Sequence, residues 1–347
     1  MEAIVLYEHG GPERLVPATL DRPEPVPGET LVRVRACGVE PGLDGRTRQN
    51  AAGWDLSMPH VLGASFAGEV VSSPDDDAPA EGVRVVIAPM VTCQRCTYCR
   101  SGRDNSCEDR RFLGVHRWGG YAEYAAVPTR NLLPIADGTA FEVAAAAPMS
   151  YTTAWHMLAR RARVAVGETV LVLGAAGAVG IAAAQIATLH GARVILGGRD
   201  LQKLEQAADD LDVFGLIDST SDIAGQVRDI AGHGADIVVD TIGAATWTDS
   251  IATLRPDGRL VCCGASSGGN VEMLLRDLYR SNLSILCSSG GTFEELRTVF
   301  RLIDEGRLNP RVHGRFPLAE AARAHEAMDR QEHVGKLVLV HDLEGGG

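Results

Sequence analysis

Hydrophobic positions follow one rhythm up to about residue 150 and another after it. The first part carries short apolar runs broken by Gly and Pro: "ETLVRVRACGV", "AGEVVSS", "GVRVVIAPMV" and "YAEYAAVP". Such punctuated β-rich runs predict an irregular, barrel-like β domain. Beyond residue 150 strand and helix patterns alternate. "ETVLVLG" reads as a buried strand, "AVGIAAAQIATLHG" as a helix stopped by Gly191, "ARVILGG" as a strand and "LQKLEQAADDL" as a helix. "ADIVVDTIG" and "GRLVCCGA" add two more strands. That βαβ alternation predicts an α/β fold with a parallel, doubly wound sheet. Two amphipathic helices, "FEELRTVFRLIDEG" and "LAEAARAHEAMDRQ", and a strand, "GKLVLV", complete the pattern. The expected division is 1–150 for the β-rich domain, 151–288 for the doubly wound one and 289–347 for a return to the first.

Composition narrows the function. At 347 residues with 45% hydrophobic content the chain has enough apolar material for two cored domains. A formal charge of −12 argues against nucleic-acid or anionic-membrane partners, which need a basic face, and favours a small-molecule substrate. No run approaches the 18 apolar residues of a membrane span, and the acidic start "MEAIVLYEHGG" lacks a signal-peptide pattern, so a cytoplasmic protein is expected. Basic residues are almost all Arg; Lys203 and Lys336 are the two lysines.

The strongest chemical signal is "CQRCTYCRSGRDNSC", which supplies Cys93, Cys96, Cys99 and Cys107 in a lobe spanning about 90–110. Two-residue gaps let a tight knuckle aim successive sulfurs at one point, and the longer loop returns the fourth. Four thiolates fill a tetrahedral Zn2+ completely and leave no site for water, so one structural zinc is expected. The alternative, unrelated thiols or disulfides, suits an oxidising compartment. Cys37, Cys262, Cys263 and Cys287 lie among apolar neighbours and read as small core residues.

The second signal is "VLVLGAAGAVGIAAAQ". Gly177 and Gly180 stand between a strand and a helix, where small residues let backbone approach a pyrophosphate at a helix N-terminus. Ala176, Ala178 and Val179 belong to the same turn, and Gly243, Gly264 and Thr153 complete the expected dinucleotide contacts. The following strand ends "ILGGRD". Gly198 removes the carboxylate that would repel a ribose 2′-phosphate, and Arg199, with Lys203 near it, supplies positive charge to pair with one. NADP(H) is therefore the expected cofactor; the other reading makes Arg199 a solvated turn residue beside Asp200.

With these motifs the chain resembles the medium-chain dehydrogenase/reductase superfamily over essentially its full length. The resemblance implies a GroES-like catalytic domain, a Rossmann domain and a homodimer joined along the edge strand near "LSILCSS". "RACGVEPGLDGR" and "AAGAVG" are similar to the quinone oxidoreductase branch. Laid on the zinc alcohol dehydrogenase pattern, the first catalytic ligand falls at Glu40, the His-Glu pair at Ala64 and Ser65, and the second Cys at Met149. The proton-relaying hydroxyl falls at Gly42, and the branch's substrate-lining Tyr at Gly45. A lone carboxylate does not make an N/S-type zinc site. The resemblance thus implies NADPH-dependent reduction of an activated C=C or a quinone, acceptors that delocalise charge without a Lewis acid.

Candidates for the proton donor are Glu40, Asp44 and Tyr151. Burial of Glu40 would raise its pKa toward use as an acid or let it grip a polar substrate group; alternatively it pairs with Arg35 or Arg46. Trp54, His60 and Trp118 line the pocket or simply pack. Rival functions are a zinc alcohol dehydrogenase with altered ligands, an enoyl-CoA-type reductase and a non-catalytic NADPH-binding protein.

Overall fold

The computed structural model describes residues 1–51, 53–54 and 56–341. The chain divides into two compact units: Met1–Met149 with Thr292–Gly306 and Pro310–Gly347, and Ser150–Gly291 with Arg307–Asn309.

The first unit is built on a seven-stranded sheet whose path runs Val312–Pro317, Lys336–Val340, Glu29–Gly38, Ser65–Ser72, Arg84–Ile87 and Leu132–Pro134. Tyr124–Pro128 pairs separately with the first half of Glu29–Gly38. Near-continuous burial marks Glu29–Gly38 as the central strand. Leu31, Val32, Val34, Ala36 and Cys37 are all buried, and one ten-residue strand serves three partners. Ile4, Leu6, Phe66, Val85, Leu113, Tyr121, Leu337 and Leu339 share its core. The C-terminal strand Lys336–Val340 inserts antiparallel against Ala36–Gly38, so the last described strand completes the middle of the sheet. The helix Ala321–Arg330 forms from the amphipathic stretch expected, burying Ala321, Ala324, His325 and Met328. The helix Phe293–Asp304 starts at a capping box between Thr292 and Glu295.

The second unit is a six-stranded parallel sheet ordered Gly215–Asp218, Arg193–Gly198, Thr169–Leu173, Ala235–Asp240, Leu254–Cys262 and Ser284–Cys287. Thr169–Leu173 and Ala235–Asp240 are entirely buried, as strands covered on both faces must be. The strand order reverses beside Thr169–Leu173, which creates a crevice at the C-terminal ends of the strands. Every strand and helix the periodicity predicts in this unit forms. The strand Gly215–Asp218 and the helices Ile223–Ala231 and Trp247–Thr253 were not visible in the pattern. Their apolar runs are too short or too mixed to stand out, and packing against the sheet selects them.

Candidate functional site

At the start of the second unit's first helix, Gly174 adopts φ +72° and its carbonyl accepts from Gly177 N at 3.0 Å. The helix Ala178–Leu189 follows with Gly177 as N-cap and no side-chain cap on its first turn. The two motif glycines are needed for different reasons. A Cβ on Gly180 would lie 2.3 Å from the Gly174 carbonyl oxygen and 2.6 Å from Ala175 Cα, so this glycine lets helix pack on strand. A Cβ on Gly177 would meet one atom, at 3.4 Å, so the protein itself leaves that space open. An open backbone cradle at an uncapped helix N-terminus fits a diphosphate. Ala176, Ala178 and Val179 lie on the same turn.

Gly243 and Gly264 stand at the ends of the next two strands of that sheet. Gly243 sits at φ +93° in a turn tied by buried Asp240, whose Oδ1 accepts from Ile242 N (2.7 Å) and Gly243 N (2.9 Å). Asp240 Oδ2 takes hydrogen bonds from Thr246 (2.8 Å) and Ser250 (2.7 Å). A Cβ on Gly264 would lie 2.6 Å from the Thr241 carbonyl oxygen. The strand Arg193–Gly198 ends in the two expected glycines, with Arg199 exposed beyond it and Asp200 capping the next helix through Lys203 N at 3.2 Å. Sequence reading missed Asp218, the register partner of Gly198; its Oδ1 accepts from Thr220 N and Oγ1 at 2.8 and 2.7 Å. Thr153 and Tyr151 are buried in the helix Ser150–Trp155. The Tyr151 hydroxyl donates to Gln185 Oε1 and the Asn309 carbonyl, both at 3.0 Å, within this second unit.

In the first unit the strand Glu29–Gly38 delivers Glu40 into a one-turn π-helix, Pro41–Gly45, with Gly45 N donating to the Glu40 carbonyl at 3.1 Å. Neither Arg35 nor Arg46 pairs with Glu40, contrary to the sequence expectation. Arg35 bonds Glu69 at 2.8 Å and Arg46 bonds the Ala51 carbonyl. The partner is Lys336, whose Nζ lies 2.7 Å from Glu40 Oε2, and Ser65 Oγ donates to Oε1 at 2.8 Å. Glu40 and Lys336 are 7% and 3% exposed, so this is a buried ion pair. Both carboxylate oxygens are thus already engaged, one by an ammonium and one by a hydroxyl. Two clues to Lys336 lay in the sequence: lysine is rare in this chain, and this one opens the fully buried run "KLVLV".

Asp44 is the other candidate carboxyl here. Its Oδ2 accepts from Glu40 N at 2.9 Å and its Oδ1 from Gly63 N at 3.1 Å, stitching the loop that carries Glu40 to the loop that carries Ala64 and Ser65. Burial, reinforced by the Glu40 charge, pushes its pKa up to about 7 against the lowering effect of those two N–H bonds. The Tyr121 hydroxyl stands 3.4 Å from Asp44 and 2.8 Å from His325 Nε2. Burial, then the charge of Arg48, holds the His325 imidazole down to about 3, so it is neutral.

Two of the positions aligned with catalytic zinc ligands, Ala64 and Met149, hold apolar side chains. Leu43, Ala64 and Val115 form an apolar cluster that also packs Met149, Phe112 and Trp54. Met149 packs against the cluster that holds Ala64; Ala64 offers no donor, Met149 only a thioether, and Glu40 is already committed to Lys336 and Ser65. The donor set does not fit a catalytic zinc. His60 and Trp118 do not join this cluster: His60 is buried against the Gly114 carbonyl (3.1 Å), and Trp118 is 41% exposed.

The four-Cys lobe is different. The two-stranded ladder of Met90–Val91 with Arg111–Phe112 closes its base, and all four Sγ atoms lie within 4.8 Å of one another. Cys93 and Cys99 Sγ are 3.9 Å apart, close to the edge of about 3.8 Å expected of a tetrahedron with Zn–S bonds of about 2.3 Å. Backbone N–H groups of Cys93, Cys96 and Cys99 point to Cys107, Cys93 and Cys96 sulfurs at 3.4 Å. Backbone N–H bonds from Arg95 and Cys96 bring the Cys93 thiol down to about 6, whereas burial and the neighbouring thiols push Cys99 up to about 12. These residues fit a structural zinc. Cys37 is a buried core residue as expected, whereas Cys287 is exposed and Cys262 and Cys263 are half-buried, so those three are not simple core packing.

Family models for an alcohol dehydrogenase GroES-like domain and a zinc-binding dehydrogenase match residues 26–137 and 178–305. L-galactonate-5-dehydrogenase of Escherichia coli K12 is 32% identical, covering 91% of this chain and 92% of its own length. The chain belongs to the medium-chain dehydrogenase/reductase superfamily. Quinone oxidoreductase of Rattus norvegicus is 28% identical over 98% of each chain. A crystal structure of an NAD-dependent alcohol dehydrogenase superposes with a TM-score of 0.94 at 38% identity, covering 99% of this chain and 100% of that one. The two sheets are thus the GroES-like and Rossmann-like sheets of that α/β fold, and the chain is an oxidoreductase of a superfamily that works with nicotinamide cofactors.

Proposed function

We propose that this oxidoreductase reduces an activated C=C or a quinone with NADPH and without a catalytic zinc. The observation that carries the reading is the cluster of Leu43, Ala64, Val115 and Met149 beside a Glu40 held by Lys336 and Ser65. An enone, enal or quinone spreads the incoming charge over its own π system and needs no Lewis acid. When bound, the nicotinamide supplies the hydride. The Gly177 turn would seat the diphosphate, and Arg199 with Lys203 would face the 2′-phosphate. Glu40 accepts the Ser65 hydroxyl proton in a hydrogen bond and holds the Lys336 ammonium, whose remaining N–H groups could face a polar substrate group, while Asp44, with a pKa of about 7, is partly protonated near neutral pH. We propose one zinc in the four-Cys lobe and a homodimer joined along the outer edge of Ser284–Cys287, with Leu274, Leu275 and Tyr279 exposed on the segment leading into it.

The test is turnover on protein of measured zinc content, with NADPH and NADH offered against conjugated carbonyls, quinones and simple alcohols. The expected result is one zinc per chain and NADPH consumption by conjugated acceptors. Alcohol oxidation accompanied by a second zinc would reverse the reading, and NADPH binding without any turnover would favour a non-catalytic role. Arg199→Ala should weaken NADPH roughly tenfold, by loss of a charged hydrogen bond, and leave NADH unchanged. Equal losses for both would instead point to NAD, with Asp218 beside Gly198 as its ribose partner.

A further inference from the structure

Asp44, Tyr121 and His325 form a chain of fully buried polar side chains in the first unit. The Tyr121 hydroxyl lies 3.4 Å from Asp44 Oδ2 on one side and 2.8 Å from His325 Nε2 on the other. At the far end His325 Nδ1 has no hydrogen-bond partner among the described residues, and neither have Thr47 Oγ1 or Arg48 Nε and Nη1. Thr47 and Arg48 share the short helix Arg46–Arg48, and the Arg48 charge acts on His325. Arg48 is itself fully buried, but its Nη2 reaches Asp329 at 2.6 Å, whose side chain is 35% exposed, so this end of the chain approaches the surface. A hydroxyl, two N–H donors and a ring nitrogen able to donate or accept make a set that water satisfies. We propose that Tyr121 and His325 are a proton relay, carrying the Asp44 proton to and from water at the Thr47–Arg48 end.

The phenol has one proton, so it donates to one neighbour and accepts from the other. With Asp44 protonated, its carboxyl donates to the Tyr121 oxygen, Tyr121 donates to His325 Nε2, and the ring proton of His325 sits on Nδ1. To discharge, the carboxyl proton passes to the phenol oxygen, the phenol proton to Nε2, and the Nδ1 proton to water. Tyr121 and His325 end as neutral as they began, and Asp44 alone has lost a proton; reloading runs the same steps backwards. Burial, then the Asp44 charge, pushes the Tyr121 hydroxyl well above its usual range, while burial and Arg48 keep the imidazole uncharged, so both links stay neutral as the exchange requires.

The charges around the chain are otherwise committed. Asp44 faces the Glu40–Lys336 pair and the Cys37 thiol. Elements packed against the helix Ala321–Arg330 bring Glu13 and Arg14, which pair with each other, Arg315, which pairs with Glu142, and His313, which accepts from Val334 N. Arg48 is thus the charge that His325 meets. That the relay serves turnover rests on the proposed function with Asp44 as proton donor; the relay itself does not.

The test is nitrogen NMR of the full-length protein carrying isotope-labelled histidine, with the His325 signals assigned by their loss in His325→Gln. The expected result is a neutral His325 on both sides of pH 7, its ring proton on Nδ1 below about pH 7 and on Nε2 above it, and one fixed tautomer in Asp44→Asn. A wild-type His325 that keeps one tautomer or gains a second proton, or one that still switches in Asp44→Asn, overturns the relay. Rapid-mixing measurement of NADPH oxidation reads its use separately. Tyr121→Phe cuts the chain but leaves the proton already on Asp44, so a first turnover near the wild-type rate should precede turnover slowed roughly tenfold or more. A wild-type steady rate, or a first turnover lost with the later ones, overturns the catalytic use while the tautomer switch stands. Unchanged turnover in Asp44→Asn overturns Asp44 as the donor alone.

Discussion

Lys336 gives the residue scale its sharpest test, because among the described residues Glu40 has no other cationic partner. Lys336→Met leaves a buried carboxylate uncompensated and should cost about 3 kcal/mol in urea unfolding; adding Glu40→Gln should restore much of that loss, since the pair is then removed whole. A stable Lys336→Met protein would mean that water reaches Glu40. Asp44 predicts a pH dependence of definite sign. Its pKa is about 7 in the folded chain and near 3.8 unfolded, so the folded state binds the extra proton. Its contribution to stability is therefore full below about pH 4 and is lost as pH rises through 7. Asp44→Asn should flatten that slope in unfolding experiments between these limits. The motif glycines separate binding from folding. Gly180→Ala meets the Gly174 carbonyl and should lower the melting temperature, whereas Gly177→Ala should keep it and lose dinucleotide affinity, as calorimetry of both variants would read.

At the scale of elements, local chemistry and local pattern agree where the chain is most legible. The spacing of Cys93, Cys96, Cys99 and Cys107 demanded convergence, and the Met90–Val91 and Arg111–Phe112 ladder supplies the closed base that makes it possible. Cys93→Ser should release the zinc and raise amide exchange through this lobe without altering dinucleotide binding, which belongs to the other unit; mass-detected hydrogen exchange would check both halves. The fully buried runs at Thr169–Leu173 and Ala235–Asp240 were readable because continuous β-rich apolar runs between helical patterns have one economical solution, a parallel sheet. Gly215–Asp218 was not, since four residues with one fully buried side chain carry no periodicity of their own. The partner of Glu40 was missed for a related reason. Arg35 and Arg46 are near it in sequence, but sheet pairing brings the strand Lys336–Val340 alongside Ala36–Gly38 from about 300 residues away.

Over the whole molecule, that same strand makes the first unit depend on the end of the chain. Deleting residues from 311 onward removes two adjacent strands of its sheet, one of them the neighbour of the central strand, and leaves Glu40 without its cation. Such a truncation should lose the unfolding transition of the first unit while the near-contiguous second unit, Ser150–Gly291, still binds dinucleotide; scanning calorimetry with and without cofactor would resolve the two. Among the described residues no helix is long and apolar enough to cross a membrane. By itself the sequence determined the two rhythms of the fold, the four-thiol lobe, the glycine turn and the absence of catalytic zinc ligands at Ala64 and Met149, because each is written in contiguous residues or fixed spacings. Only the tertiary structure decided that those two positions pack into an apolar cluster, that Glu40 is held by Lys336 and Ser65, that burial raises the Asp44 pKa to about 7, and that Cys262 meets Cys287. Each of these depends on strand register and on burial, and neither exists until distant segments have packed together.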